Sequence, residues 1–107
     1  MALNLESDEF ALAVSSIRNL AVAKDDAEAQ IANCIINLTS EEGMLASLIA
    51  QPKTASNSEY LQAGKKACRL GIKAWKLSIA AYQNDIETFR LEIEDITKRF
   101  PNARMDN

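Results

Sequence analysis

The chain has 107 residues, of which 48% are hydrophobic while only three are glycine and two are proline, a composition that excludes a disordered or linker-like protein. Its formal net charge of −3 gives no general attraction to nucleic acid or to an anionic membrane. The sequence has no histidine, which excludes Ser–His and Cys–His catalytic pairs and the usual zinc ligand sets. Strong helix formers such as alanine, leucine and glutamate are plentiful, so we predict a single all-α domain over residues 1–107.

The first ten residues lack the basic and apolar regions of a signal peptide. No apolar run approaches the ~20 residues that a membrane-spanning helix needs. Cys34 and Cys68 lie inside helical patterns without CxxC spacing, so we interpret them as free thiols packed as small hydrophobic residues in a reducing compartment. We therefore expect a cytoplasmic protein, with secretion by a route that needs no signal peptide as the alternative.

The first arm, about residues 7–51, has an interrupted helical pattern. Two apolar lines with sevenfold spacing run along it: Phe10, Ile17, Lys24, Ile31, Leu38 and Leu45, and beside them Val14, Ala21, Glu28, Ile35, Glu42 and Ile49. The segments KDDAE and TSEEG could each break the helix, because Asp25 with Glu28 fits a capping box and Gly43 weakens a helix interior by roughly 1 kcal/mol. The sequence leaves open one bent helix or two or three collinear segments.

The segment QPKTASNSEY predicts a loop over residues 52–57, since its proline stops a helix and Ser58 is a good N-cap for the next one. A second, long helix is predicted from about 58 to 100, followed by a tail at 101–107. Short loops make their flanking helices antiparallel neighbours. The sequence therefore predicts an antiparallel helical hairpin with a bent or broken first arm.

The long helix carries two interlocked apolar series of sevenfold spacing, offset alternately by three and four residues. This heptad pattern is typical of a coiled-coil seam, and only Lys65 interrupts it. We interpret the seam as core or interface; its members are Leu61, Cys68, Ile72, Trp75, Ile79, Tyr82, Ile86, Phe89, Ile93, Ile96 and Phe100. Cys68 occupies position d of the heptad. In a parallel pairing of two copies it could therefore face the Cys68 of the second copy and form an intersubunit disulfide.

The two arms are complementary in charge, because residues 1–51 carry eight acids and two bases while residues 52–107 carry seven acids and ten bases. Exposed ion pairs contribute only roughly 0.2–1 kcal/mol each, but a turn near residues 54–55 brings several together in one register. The predicted neighbours are Glu41 and Glu42 with Lys65, Lys66 and Arg69, Lys24 with Asp85, and Glu6, Asp8 and Glu9 with Lys98, Arg99 and Arg104.

A second apolar stripe, the c/f stripe, occupies another face of the long helix and comprises Ala67, Leu70, Ala74, Leu77 and Ala81. In a two-helix hairpin these residues would meet water. Two hairpins forming a four-helix bundle would bury both faces, and symmetric dimers are the commonest oligomers. We therefore predict a homodimer, with a monomeric three- or four-helix bundle and a hairpin completed by another helical protein as the alternatives.

Four basic residues that recur every three or four positions form a basic strip on the long helix: Lys66, Arg69, Lys73 and Lys76. Such a strip could dock the phosphates of nucleic acid or an acidic partner helix. The interpretation that we favour is a solvated flank that pairs with acids of the first arm, because the chain is acidic overall and has no sequence-reading module.

The first arm also offers a weak signal for chemistry, since Glu28 and Glu42 on an otherwise apolar line could be buried acids of an acid–base site. A polar layer or a solvated edge explains them more simply, and the isolated glycines form no phosphate loop. We therefore expect no catalytic residues, no cofactor and no metal. The sequence predicts a non-enzymatic interaction or assembly module, such as an adaptor, a chaperone-like protein or a secretion-type or phage-type structural component.

Overall fold

In the computed structural model the backbone is described for residues 2–103 and the side chains for residues 8–103. Two α-helices account for most of it: α1, Ala2–Ala50, and α2, Ser58–Arg99. They pack against each other as a hairpin, so the prediction of an all-α helical hairpin is confirmed. In this part of the chain no helix contains an apolar stretch long enough to cross a lipid bilayer.

α1 is one continuous α-helix across both segments where the sequence allowed a break, and it begins before the predicted start near residue 7. Asp25 and Asp26 are exposed, so their carboxylates stay in water without disturbing the helix. The Lys24 ammonium lies 3.6 Å from a Glu28 carboxylate oxygen one turn away, an arrangement that supports a helix by roughly 0.2–0.5 kcal/mol. The first arm is therefore one helix rather than two or three segments.

Replacing Gly43 by alanine is expected to raise the free energy of unfolding by about 0.5–1 kcal/mol, because alanine loses less conformational freedom than glycine inside a helix. The added methyl group would meet no heavy atom within 4 Å. Gly64 provides the control, since a Cβ there would lie 3.0 Å from Leu48 Cδ1 and would displace that side chain. Urea denaturation should show the larger gain for Gly43→Ala; an equal gain for Gly64→Ala would contradict the close helix approach at Gly64.

Side chains of the loop itself hold it in place. Thr54 Oγ1 accepts a hydrogen bond from the Asn57 amide (3.3 Å) while Asn57 Oδ1 accepts one from the Thr54 amide (2.8 Å). The Asn57 side-chain amide also donates to the Pro52 carbonyl at 3.1 Å. The first helical hydrogen bond of α2 runs from the Leu61 amide to the Asn57 carbonyl, so the N-cap is Asn57 and not Ser58, as the sequence predicted.

The described residues form two compact units. The terminal unit comprises residues 2–29 and 83–103, and the loop unit comprises Gln30–Tyr82. The core cluster of the terminal unit consists of buried Ala13, Ile17 and Ala103 with partly buried Val14, Ile93, Ile96 and Phe100 around them. The buried residues of the loop unit are Cys34, Leu61 and Cys68. Each unit thus has buried apolar side chains of its own.

The chain turns back after α2. The Ala103 amide donates to the Phe100 carbonyl at 2.9 Å, which closes a β-turn with Pro101 at its second position. No described non-glycine residue has a positive φ, so the turn is of type I. Ala103 is 0% exposed, and the first part of the predicted tail therefore belongs to the core of the terminal unit. Residues 104–107 lie outside the described residues.

The buried face of α1 follows one of the two apolar lines of the sequence pattern, whereas the second line is half-buried at Val14 and Ala21 and exposed from Glu28 onward. One predicted line is buried or half-buried from Ile17 to Leu45, with Phe10 at its end 40% exposed. A further line of buried or half-buried residues comprises Ala13, Leu20, Ala27, Cys34, Glu41 and Leu48, each one position before a member of the second apolar line. Small side chains let two helices approach closely, and this register keeps Glu28 and Glu42 in water, where their charges are hydrated.

The ion pairs predicted between the two arms do not form among residues 8–103. Those that the structure describes lie within one helix: Lys24–Glu28, Arg90–Glu87, Arg90–Glu94, Lys98–Glu94 and Arg99–Asp95. Side chains three or four residues apart on a helix are close neighbours, so they meet without the reach that an interhelical pair needs. The predicted partners Glu6 and Arg104 lie outside the described side chains.

The outer face of α2 after Asn84 is polar and carries its own ion network. The Arg90 guanidinium donates to both carboxylate oxygens of Glu87, at 2.7 and 3.0 Å, and to Glu94 at 3.1 Å. Its hydrogen bonds and its charge lower the pKa of Glu87. This part of α2 therefore has only its inner face to bury, as the sequence pattern predicted, although Leu91 remains 50% exposed.

Candidate interaction surfaces

Every residue of the predicted seam is buried or half-buried in the hairpin. Leu61 is 2% exposed and Cys68 is 4% exposed, whereas the remaining seam residues, Trp75 among them, keep part of their surface in water. A side chain held between only two helices is covered incompletely, which explains why most of the seam is half-buried. The seam therefore belongs first to the packing within the chain.

The c/f stripe lies open to solvent along its whole length. Leu70 is 59% exposed and Leu77 is 63% exposed, and the alanines of the stripe are exposed as well. Single exposed leucines are ordinary on protein surfaces, but a continuous apolar stripe marks an interaction site more often than chance. α1 therefore does not cover this second face of α2.

α1 adds exposed apolar side chains within the loop unit: Ile35, Ile36, Met44 and Ile49, each between 49% and 66% exposed. Ile35 and Ile49 belong to the second apolar line of the sequence pattern, but the residues one position earlier, Cys34 and Leu48, are the ones that are buried or half-buried. These side chains extend the apolar surface of the loop unit beyond α2.

The four residues of the basic strip are exposed, and no carboxylate among residues 8–103 lies within ion-pair distance of them. Pairing with Glu41 and Glu42, which the sequence analysis favoured, does not occur. Glu42 points to solvent and Glu41 turns toward the seam. The strip is thus a row of hydrated cations without an acidic partner in the described chain.

Glu41 occupies the space that a glycine leaves on α2. A Cβ built on Gly71 would lie 3.0 Å from a Glu41 carboxylate oxygen, so the missing side chain makes room for the carboxylate. Glu41 is half-buried there and also neighbours Cys68. Burial raises the pKa of the Cys68 thiol, and the charge of Glu41 and its hydrogen bond with the thiol raise that pKa further.

Both cysteines are free thiols and are buried, at 4% exposure each, as the sequence analysis interpreted them. Because Cys68 is buried in the hairpin, a disulfide with the Cys68 of a second copy would require the hairpin to open locally, and such a disulfide stays a hypothesis. The hypothesis of buried acids on α1 is wrong, since Glu28 and Glu42 are exposed. Within the described side chains no three of the His, Cys, Asp or Glu type converge where a metal ion could bind.

Alkaline pH is expected to destabilise the fold through Cys68. Because its pKa is raised in the folded chain, the contribution of Cys68 to stability is fully present below the ordinary cysteine pKa of about 8.5 and is lost as pH rises through the raised pKa. Glu41→Gln removes the charge and weakens the hydrogen bond, so the pKa of Cys68 should fall. The pKa of Cys68 can be measured from the pH dependence of its alkylation by iodoacetamide, in proteins with and without Glu41→Gln that both carry Cys34→Ala. An unchanged pKa would contradict the Glu41–Cys68 contact.

An apolar groove of about 920 Å³ opens in the loop unit beside Glu41. Its walls include Glu41, Met44 and Leu48 of α1 and Tyr60, Ala63 and Ala67 of α2. The groove has room because Ala63 and Ala67 in its α2 wall are small and Gly64 has no side chain. Ala67 also begins the c/f stripe, so the groove and the stripe adjoin at this residue. No periodicity in the sequence indicates the groove, since it depends on which faces of the two helices meet.

This chain matches no protein-family model, no curated protein sequence and no solved structure.

Proposed function

We propose that the chain is a non-enzymatic interaction module that pairs with a second copy of itself through coiled-coil-like helix packing, so that two hairpins form a four-helix assembly in which their α2 helices are in contact. The observation that carries this proposal is the exposed c/f stripe, in which Leu70 and Leu77 are each more than half exposed. A helix of a four-helix bundle contacts two neighbours. α2 has apolar residues for two neighbours from Ala67 to Ala81, and α1 supplies only one of them.

The distribution of polar and apolar surface supports pairing through the loop unit. The loop unit exposes the c/f stripe together with Met44 and Ile36. The outer face of α2 after Asn84 carries the ion network of Arg90 and needs no apolar cover. We therefore place the pairing surface along the loop unit, where burial of the exposed leucines and isoleucines would drive association.

Size measurements test this proposal directly. Light scattering coupled to gel filtration should give twice the 11.8 kDa of one chain, and the double change Leu70→Glu with Leu77→Glu should give monomers of unchanged helical content. Leu91→Glu is the matched control, because Leu91 is half exposed but lies outside the stripe, and it should remain dimeric. A single-chain mass at every concentration, or a dimer that survives the double change, would contradict the proposal.

The basic strip supports a second candidate function, binding of nucleic acid or of an acidic partner. The supporting observation is that Lys66, Arg69, Lys73 and Lys76 are exposed and have no carboxylate partner among residues 8–103. The double change Arg69→Glu with Lys73→Glu should abolish binding to a mixed-sequence DNA duplex and remove its salt dependence. Absence of DNA binding by the unchanged protein at low salt would reject the nucleic-acid form of this candidate.

A further inference from the structure

Two charged features of the loop unit have no charged partner within the described chain. The Glu41 carboxylate is half-buried at the wall of the apolar groove, and no cation among residues 8–103 lies within ion-pair distance of it. The basic strip on α2 has exposed cations without carboxylates. A carboxylate that is partly removed from water gains most from a cationic partner, so these two features are complementary.

The strip and the groove lie on opposite sides of the c/f stripe. Successive residues of an α-helix are separated by about 100°, which places Arg69 and Lys73 on one flank of Leu70 and Gly71 on the other. Glu41 packs at Gly71 and Leu48 packs at Gly64, so α1 and its carboxylate belong to the second flank. α2 therefore presents, around its axis, a basic flank, an apolar stripe and an acidic groove in that order.

This order distinguishes the two ways in which a second copy can pack on the stripe. When two identical helices pack antiparallel about a two-fold axis, like flanks face each other, so the basic flanks would meet and repel. When they pack parallel, each flank faces the opposite flank of the partner, as the charges beside a parallel coiled-coil seam do. Only the parallel arrangement brings the cations of one copy to Glu41 of the other at the same height along α2.

We propose that the two hairpins pack parallel and in register about a two-fold axis along α2, with Arg69 and Lys73 of each copy pairing with Glu41 at the groove of its partner. This inference rests on the self-association proposed above and adds its orientation and its ionic contacts. The occupant of the groove flank is thus the basic flank of a second copy. The same arrangement gives the basic strip an acidic partner without nucleic acid.

Cysteine cross-linking tests the orientation. In a background of Cys34→Ala and Cys68→Ala that remains dimeric by light scattering, Ala74→Cys and Ala81→Cys should each form a disulfide-linked dimer on mild oxidation, because in-register parallel helices place each residue opposite its own copy. In an antiparallel dimer only a residue on the two-fold axis lies opposite its own copy. Cross-linking at one of the two sites, or at neither, would therefore overturn the parallel arrangement. Leu91→Cys, outside the stripe, should not cross-link.

Charge exchange tests the contact. Glu41→Lys should raise the dimer dissociation constant roughly tenfold or more, because it places like charges together. Adding Arg69→Glu and Lys73→Glu to Glu41→Lys should restore association. Glu42→Lys is the matched control, since Glu42 is exposed and does not line the groove, and it should leave the constant unchanged. Equal effects of Glu41→Lys and Glu42→Lys would overturn the contact. A monomeric unchanged protein would instead reject the self-association itself.

Discussion

Replacing Leu61 by alanine is expected to lower the free energy of unfolding by about 2–5 kcal/mol, the range for removing a buried leucine side chain. Leu61 is 2% exposed and begins the seam in the first turn of α2, where its amide donates the first helical hydrogen bond. Its neighbourhood cannot easily collapse into the cavity, because the loop before it is fixed by the hydrogen bonds of Thr54 and Asn57. We therefore expect a loss toward the upper part of this range.

Tyr60→Ala is the control for Leu61→Ala. Tyr60 precedes Leu61 on the same turn but is 70% exposed, so its replacement should change the free energy of unfolding by no more than about 0.5 kcal/mol. Urea denaturation at a fixed protein concentration measures both changes, which matters because association would add to stability by mass action. Equal losses for the two variants would show that Leu61 is not part of a core.

Ile17→Asp is expected to destabilise the terminal unit by several kcal/mol at neutral pH. Ile17 is 4% exposed and belongs to a core cluster of apolar side chains that includes Ala13 and Ala103. A carboxylate there would lose its hydration without gaining a cation or a hydrogen-bond donor. Leu12→Asp, at a position 67% exposed on the same helix, is the matched control and should cost far less. Comparable losses for the two variants would contradict the assignment of Ile17 to the core.

The pH dependence of Ile17→Asp provides an independent check. Burial favours the neutral carboxyl group, so the pKa of the introduced aspartate would be higher in the folded chain than its ordinary value of about 3.9. Destabilisation is therefore smallest below that ordinary value and grows as pH rises through the folded pKa. Hydrogen exchange should show the loss of protection in residues 2–29 and 83–103. A loss that does not depend on pH would indicate that the side chain reaches water.

The sequence allowed α2 to be predicted almost to the residue, because its seam consists of large and β-branched side chains at strict heptad spacing. Leu61, Trp75 and Ile93 are large apolar residues that keep this spacing. The N-cap was missed by one residue because Asn57 acts through its carbonyl, while its side chain is committed to the loop. Local sequence cannot distinguish these two uses of one residue.

The buried face of α1 could not be predicted in the same way. Its true second line contains Ala13, Ala27 and Cys34, which carry a weak hydrophobic signal, whereas the predicted line contains the larger Ile35 and Ile49. Gly64 and Gly71 of α2 face Leu48 and Glu41 of the true second line, so the room for these two side chains depends on both helices at once. The position of Glu41 could not be predicted for the same reason. The space for its carboxylate comes from a glycine on the opposite helix.

The candidate surfaces differ in the same way, because some depend on one helix and others on two. The c/f stripe and the basic strip follow from the period of one helix, so the sequence alone indicated both. The groove and the contact of Glu41 with Cys68 arise from two helices together and were not predicted. The burial of Ala103 was also missed, because an isolated alanine after a proline-containing turn has no periodic neighbours.

The hydrogen bonds of the loop have a consequence for the order of folding. They join residues at most five apart, so they can form before any distant parts of the chain meet. The entropy lost on closing a loop increases with the number of residues enclosed, which makes the contact of Leu48 with Gly64 an early one and the docking of Ala103 in the core with Ala13 a late one. We expect folding to begin at Thr54 and Asn57 and to proceed from the loop toward the termini. Substitutions near the loop should therefore slow folding, while those near Ala103 should mainly accelerate unfolding.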